Sequence, residues 1–364
     1  MRSTYRNGLL AAVLIVAAVG TTPARPSAAP PPDVGPTPES LGALTFGPSG
    51  VLFAADTQAA TIYALELGDQ ATGAKAGAAD VPSIDQKIAS VLGTTAGAVA
   101  VKDLVIHPVT HNAYLSVMRG VGADARPALL RVDGDGRIAV IALDRVKYSK
   151  VTLPNPPAAD GARNQRADGI TDMAFTDGKL MVAGLSNEEF ASKLRALPYP
   201  FNATDPGTSV EIFHGNHGQL ETRSPVYAFI PYTINNKPYL IASYLCTPLV
   251  RFSLDSLKGS KVVGTTIAEL GNRNRPLDMI LYKKDGKEFL LMSNNARGVM
   301  KIPTEAFGTA APITEPVRTE TAGIGYEKIA SMTGIEQMDL LDAQRSIVLA
   351  RTSGGLNLSA VPLP

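Results

Sequence analysis

From Ala43 to the C-terminus, short apolar runs alternate with turn signals, and one order of hydrophobic and polar positions returns six times. The copies begin as ALTFGPSGVLFAAD at Ala43, DLVIHPVTHNAYLSV at Asp103, DMAFTDGKLMVAG at Asp172, AFIPYTINNKPYLIAS at Ala228, DMILYKKDGKEFLLMS at Asp278 and DLLDAQRSIVLART at Asp339. The intervals are 60, 69, 56, 50 and 61 residues. Each copy opens with a short apolar strand, turns through Gly, Pro, Asn or Asp, and continues into a second apolar strand. Third strands are expected at ATIYALEL, PALLRVDGDG, TSVEIFHG, PLVRFSLD, GVMKIPTE and LNLSAVPL.

Six imperfect copies of a three-strand unit predict an all-β fold over residues 41–364, a six-bladed β-propeller in which each blade buries both faces against its neighbours. A β-sandwich could hold as many strands, but it has no reason to repeat one register six times. Two short helical insertions are expected. One is PSIDQKIASVLG at 82–93, and the other is SNEEFASKLRAL at 186–197, which opens with the capping-box spacing Ser186 to Glu189. The sixth unit ends soon after its third strand, so its outer strand must come from elsewhere. The segment after the N-terminal leader is the expected donor.

The N-terminus adds a location. Arg2 and Arg6 precede an apolar stretch from Leu9 to Val19 and then small and Pro-rich residues, the order of a secretory signal. Eleven residues are too few to span a bilayer, which needs about 20. Residues 1–24 are therefore assigned to a signal peptide and 25–40 to a Pro-rich flexible leader. The protein is expected in the periplasm or secreted, with no transmembrane segment after cleavage. Charge is balanced, with 34 Lys and Arg against 33 Asp and Glu, which excludes the basic footprint of a nucleic-acid partner. The lone Cys246 leaves no internal disulfide, so stability rests on core packing.

Units such as DLVIHPVTHNAYLSV and DMAFTDGKLMVAG resemble those of the secreted propeller superfamily that includes NHL-type, YVTN-type and SMP-30/gluconolactonase-like proteins. That resemblance implies the fold. It implies little about function, because one propeller scaffold hosts lactonases, lyases, receptors and inert binding platforms. Gluconolactonase-like members hold a divalent metal in the central channel through Glu, Asn and Asp, but no stretch of this chain matches their ligand motifs.

In a propeller the inner strands begin on the same face of the disc to which the loops between second and third strands return. Asp172, Asp278 and Asp339 therefore crowd one channel mouth and are candidate oxygen ligands for Ca²⁺. Recurrence at one register favours a shared structural task for them, accepting N–H groups from the adjacent blade. The non-repeated Asn187, Glu188, Arg275, Asn294, Asn295 and Arg297 are the better candidates for ligand binding.

EIFHGNHGQLET sets His214, His217 and Glu221 at a spacing that resembles a metal-ligand cluster. Its glycines and its place after the third strand of its unit read as a hairpin turn on the opposite face. Cys246 then has no histidine on its own face and reads as a packing residue. Two functions remain. The first is a non-catalytic module that binds a small molecule or a protein partner at the channel mouth, with Phe190, Leu194, Leu197, Tyr199 and Phe201 of the segment 186–201 as anchors. The alternative is a lactonase-like hydrolase with a divalent metal in the channel.

Overall fold

The computed structural model describes residues 35–69, 80–159 and 165–364. The expected signal peptide, residues 1–24, lies outside them. Among the described residues no helix is long and apolar enough to cross a membrane.

Six sheets form six blades, numbered here in chain order of their inner strands: Leu44–Phe46, Val99–Ile106, Asp172–Thr176, Ala228–Ile234, Pro276–Lys284 and Ile335–Leu340. Within each blade, successive strands pair antiparallel around the turns that the sequence marks. The fold is a six-bladed β-propeller. Its core is divided into six apolar layers, one between each pair of neighbouring blades. Alternate residues of one strand enter different layers. In the second strand of blade two, Leu115 faces blade six while Tyr114 faces blade one. This two-sided burial makes the strands read as continuous apolar runs.

The blades do not follow the chain around the ring. The inner strand of blade one lies between those of blades two and three, and the inner strand of blade two lies against that of blade six. Blade two is an insertion within blade one. After Thr61–Glu66 the chain leaves blade one, builds blade two, and returns with Lys147–Thr152 as the outer strand of blade one. The ring therefore runs two, one, three, four, five, six and back to two.

This order changes the closure. The outer position of blade six is taken by the stretch that leads into blade two, not by the segment after the leader. Val81 and Leu358 exchange backbone hydrogen bonds of 2.8 and 3.1 Å, and Asp80 Oδ1 accepts the Ala360 N–H at 2.8 Å. The segment after the leader instead forms the inner strand of blade one, and the last leader residues, Glu39 and Ser40, are tied to the same blade by their N–H bonds to Asp56.

The first expected insertion forms helix α1, Ile84–Leu92. Ile84, Ile88 and Leu92 recur at helical spacing and are buried between blades two and six. Gly93 ends the helix at φ 65°, the left-handed conformation that glycine adopts freely.

The second insertion is not helical. Residues 186–191 are a loop and Ser192–Pro198 is the third strand of blade three. Leu194 enters the layer toward blade four and Leu197 the layer toward blade one. A strand buried on both faces thus shows apolar residues at a spacing that mimics a helix. Tyr199 and Phe201 pack edge-on against Phe53 of blade one, at ring-centroid distances of 5.0 and 5.8 Å. Four of the five expected surface anchors are committed to packing.

Candidate functional site

The aspartates that recur at the mouth link the blades. Asp103 accepts the N–H of Leu44 at 2.6 Å, and Asp172, Asp278 and Asp339 accept those of Phe229, Met338 and Ile106 at 2.7 Å. Each bond runs to the next blade in the same rotational sense of the ring. The second oxygen of each carboxylate accepts the N–H of its own following residue. Ala43 and Ala228 hold the corresponding register in the two blades without such a link, and in blade six Gln337 holds it: Asp339 lies two residues further along its strand and so reaches Ile106.

The four carboxylates share one channel. Burial pushes Asp103 up to about 8, with the charges of Asp172 and Asp339 adding to it. Asp172 and Asp339 rise to about 7 and about 6, burial outweighing their backbone hydrogen bonds. Asp278 is raised well above the usual carboxylate range by burial and by the charges of Asp103 and Asp172.

The other candidates occupy several places. Asn294 is buried and pins the blade-five loop. Its Oδ1 accepts from Asn274 Nδ2 at 2.9 Å, and its Nδ2 donates to the carbonyls of Met292 and Gly298. Asn295 Oδ1 accepts the Arg275 N–H at 2.8 Å. The Arg275 guanidinium lies 4.2 Å over the Tyr227 ring. Asp168 nearby is raised by burial against the pull of Arg275 and Tyr227. Glu188 is bound to Asn155 Nδ2 at 2.9 Å and to the buried Lys193 Nζ at 2.6 Å, and the Lys193 bond lowers its pKa. The Asn187 N–H donates to the Asn155 carbonyl. Arg297 donates to the Asn272 carbonyl at 3.2 Å and pairs with Glu320.

Arg297 leads to a feature that the sequence did not single out. Two contiguous depressions of about 400 Å³ each share Asn272, Arg273 and Arg297. One extends to Tyr326 and Lys328, the other to Arg318, Glu320 and Asn216. Together they form a cleft with four cationic side chains and one carboxylate. Arg273 holds φ 55° there, a conformation that non-glycine residues adopt at a cost of about 1–3 kcal/mol.

At the Asn216 end, the structure reverses the expected placement of the histidines. Thr208–His214 is the fourth strand of blade three, so the turn after it returns to the channel-mouth face. Counting Ser192–Pro198 as a helix removes one strand, and one strand fewer inverts the direction of everything after it.

Cys246 stands on the same face, in the loop between the second and third strands of blade four. Its N–H donates to the Asn274 carbonyl at 2.7 Å, and Cys246 and Thr247 hold φ of 61° and 55°. One ring nitrogen each from His214 and His217 and the Cys246 sulfur all lie within 4.8 Å of one another, the one such metal-ligand group among the described residues. Asp172, Asp278 and Asp339 do not form such a group. Glu221 joins both rings, contacting Nδ1 of His214 at 3.0 Å and Nδ1 of His217 at 2.5 Å. Burial pushes Glu221 up, but the bonds to the two rings prevail and hold it at about 2.

No protein-family model matches the sequence, and no curated protein matches it. Solved structures similar to the chain include a propeller domain and two enzymes. The β-propeller domain of Cps50 (Swd1) from Myceliophteria thermophila is 10% identical, with 87% of this chain and 82% of that one covered and a TM-score of 0.36. Virginiamycin B lyase from Staphylococcus aureus is 12% identical, with 90% and 96% covered and a TM-score of 0.30. Soluble aldose sugar dehydrogenase from Escherichia coli, in its apo form, is 14% identical, with 89% and 97% covered and a TM-score of 0.34. The propeller assignment rests on the six sheets and their closed ring. At these identities and TM-scores the likenesses do not confirm the resemblance to NHL, YVTN or gluconolactonase-like groups.

Proposed function

We propose that this propeller is an exported binding module that takes a small anionic ligand in the arginine-lined cleft beside the channel mouth. The observation that carries the reading is the charge of the cleft, where Arg273, Arg297, Arg318 and Lys328 face a single carboxylate, Glu320, already paired with Arg297. Arginine presents a planar fork of donors that matches carboxylate and phosphate oxygens. The signal-like N-terminus supports export to the periplasm or beyond. Hydrolysis through a channel metal has less support, because each aspartate oxygen already accepts a backbone N–H.

Isothermal titration of the full chain with citrate and with inorganic phosphate at low salt tests the reading. Saturable binding is expected, weakened at least tenfold in the double variant R273A/R318A and reduced by added salt. Absence of saturable heat with both anions, or a double variant that binds as the parent does, would overturn it.

A further inference from the structure

We propose that His214, His217 and Cys246 form a binding site for a borderline-soft transition metal ion, Zn²⁺, with one coordination position open to solvent. The three donors come from two blades. His214 and His217 flank the turn after the fourth strand of blade three, and Cys246 sits on the blade-four loop. Their proximity is a product of the fold.

The donor atoms are near the separation that an ion requires. Zinc binds imidazole nitrogen at about 2.0–2.1 Å and thiolate sulfur at about 2.3 Å, which puts donors on a tetrahedral ion roughly 3.3–3.6 Å apart. Here one nitrogen of each ring and the Cys246 sulfur lie within 4.8 Å of one another, and a ring turn about χ2 exchanges which nitrogen is presented. The His217 side chain is 43% exposed and has room to close the difference while its Nδ1 stays on Glu221, whereas His214 is only 2% exposed.

His214 supplies an independent sign. Its Nε2 is buried and has no hydrogen-bond partner among the described residues. The nearest carboxylate oxygen, on Glu269, is 3.8 Å away and engaged with the Asn216 amide. A buried polar atom without a partner is costly, and of the ten such atoms among the described residues this one belongs to a group of metal-type donors. Glu221 meanwhile takes Nδ1 of both rings, so the nitrogen left to each for a metal is Nε2. A carboxylate behind each ligating histidine is the usual support of a metal site.

The chemistry follows from the donor set. On binding, the Cys246 thiol loses its proton to solvent and becomes the thiolate ligand, while both imidazoles bind as neutral ligands. Thiolate with imidazole suits zinc and disfavours Ca²⁺, which takes oxygen ligands. Three protein ligands with a fourth position open is the arrangement of zinc sites that bind water or substrate. The site does not depend on anion binding in the adjacent cleft.

The test uses the full chain, stripped of metal by a chelator and titrated with Co²⁺ as a spectroscopic stand-in for Zn²⁺. The expected result is saturation at one equivalent, with a thiolate-to-cobalt charge-transfer band and the intense visible bands of a tetrahedral ion, both lost when Zn²⁺ is added. C246S should remove the charge-transfer band. H217A alters an exposed side chain, should fold normally, and should lose the tetrahedral spectrum. E221Q keeps all three ligands and should weaken binding by about 10–100-fold. Absence of a charge-transfer band, wild-type titrations by C246S and H217A, or displacement of cobalt by Ca²⁺ would overturn the proposal.

Discussion

The four channel aspartates and the group at His214, His217 and Cys246 both collect ligand-type atoms on the channel-mouth face, but they differ in what those atoms have left to bind. Each aspartate oxygen accepts a backbone N–H, one from its own strand and one from the next blade. His214 Nε2 has no such partner. The aspartates recur because blade joining is a repeated task. The histidines and the cysteine occur once because nothing in the architecture of a blade requires them. Repetition therefore marks structure here, and a group of metal-type donors that no other blade shares marks the place to look for chemistry.

The strongest way to break this contrast is to remove an aspartate. D278A leaves the N–H groups of Met338 and Met279 without acceptors, at about 1–3 kcal/mol each. Urea melts should show a large loss of stability. An unchanged midpoint would make the aspartate ring something other than a blade joint.

A smaller loss is expected from N294A, where the sequence pointed to ligand binding. Its amide holds three partners in a buried turn, and deletion leaves Asn274 Nδ2 and two carbonyls short of a bond, so roughly 1–3 kcal/mol is at stake. Thermal melts that match the parent would return Asn294 to the candidate ligand residues.

A third test sharpens the electrostatic side. Asp103, Asp172 and Asp339 sit at about 8, about 7 and about 6 in the folded protein, above the ordinary carboxylate value. The folded state then holds protons that the unfolded chain has released, so stability is greatest below about pH 4 for these groups and is lost as pH rises through 6 to 8. The melting temperature should fall between pH 5 and pH 9, and D103N should flatten that fall. A melting temperature that rises across the same interval would contradict the assignment.

Much of the fold was legible because a propeller repeats. The inner strands, the turns and the aspartate register all carried a periodic signal. Ring order did not, because it depends on which blade faces pack together, and the apolar surfaces of Leu115 and Tyr114 look alike in sequence. The rim site was half visible. His214, His217 and Glu221 stood out by spacing, but Ser192–Pro198 looked helical because its strand is buried on both faces. With one strand too few, the histidines are expected on the opposite face, away from Cys246. The arginine cleft was less visible still, since Arg273, Arg297 and Arg318 come from separate loops that only the folded chain brings together.

On the proposed reading the channel aspartates build the disc while the arginine cleft on the same face binds. Citrate titration and thermal melting of the parent, D278N and R273A/R318A separate the two roles. D278N should melt lower yet bind citrate with the parent's affinity per folded molecule, and R273A/R318A should melt within a degree or so of the parent while losing at least tenfold in affinity. A D278N protein that melts like the parent and no longer binds citrate would contradict the claim.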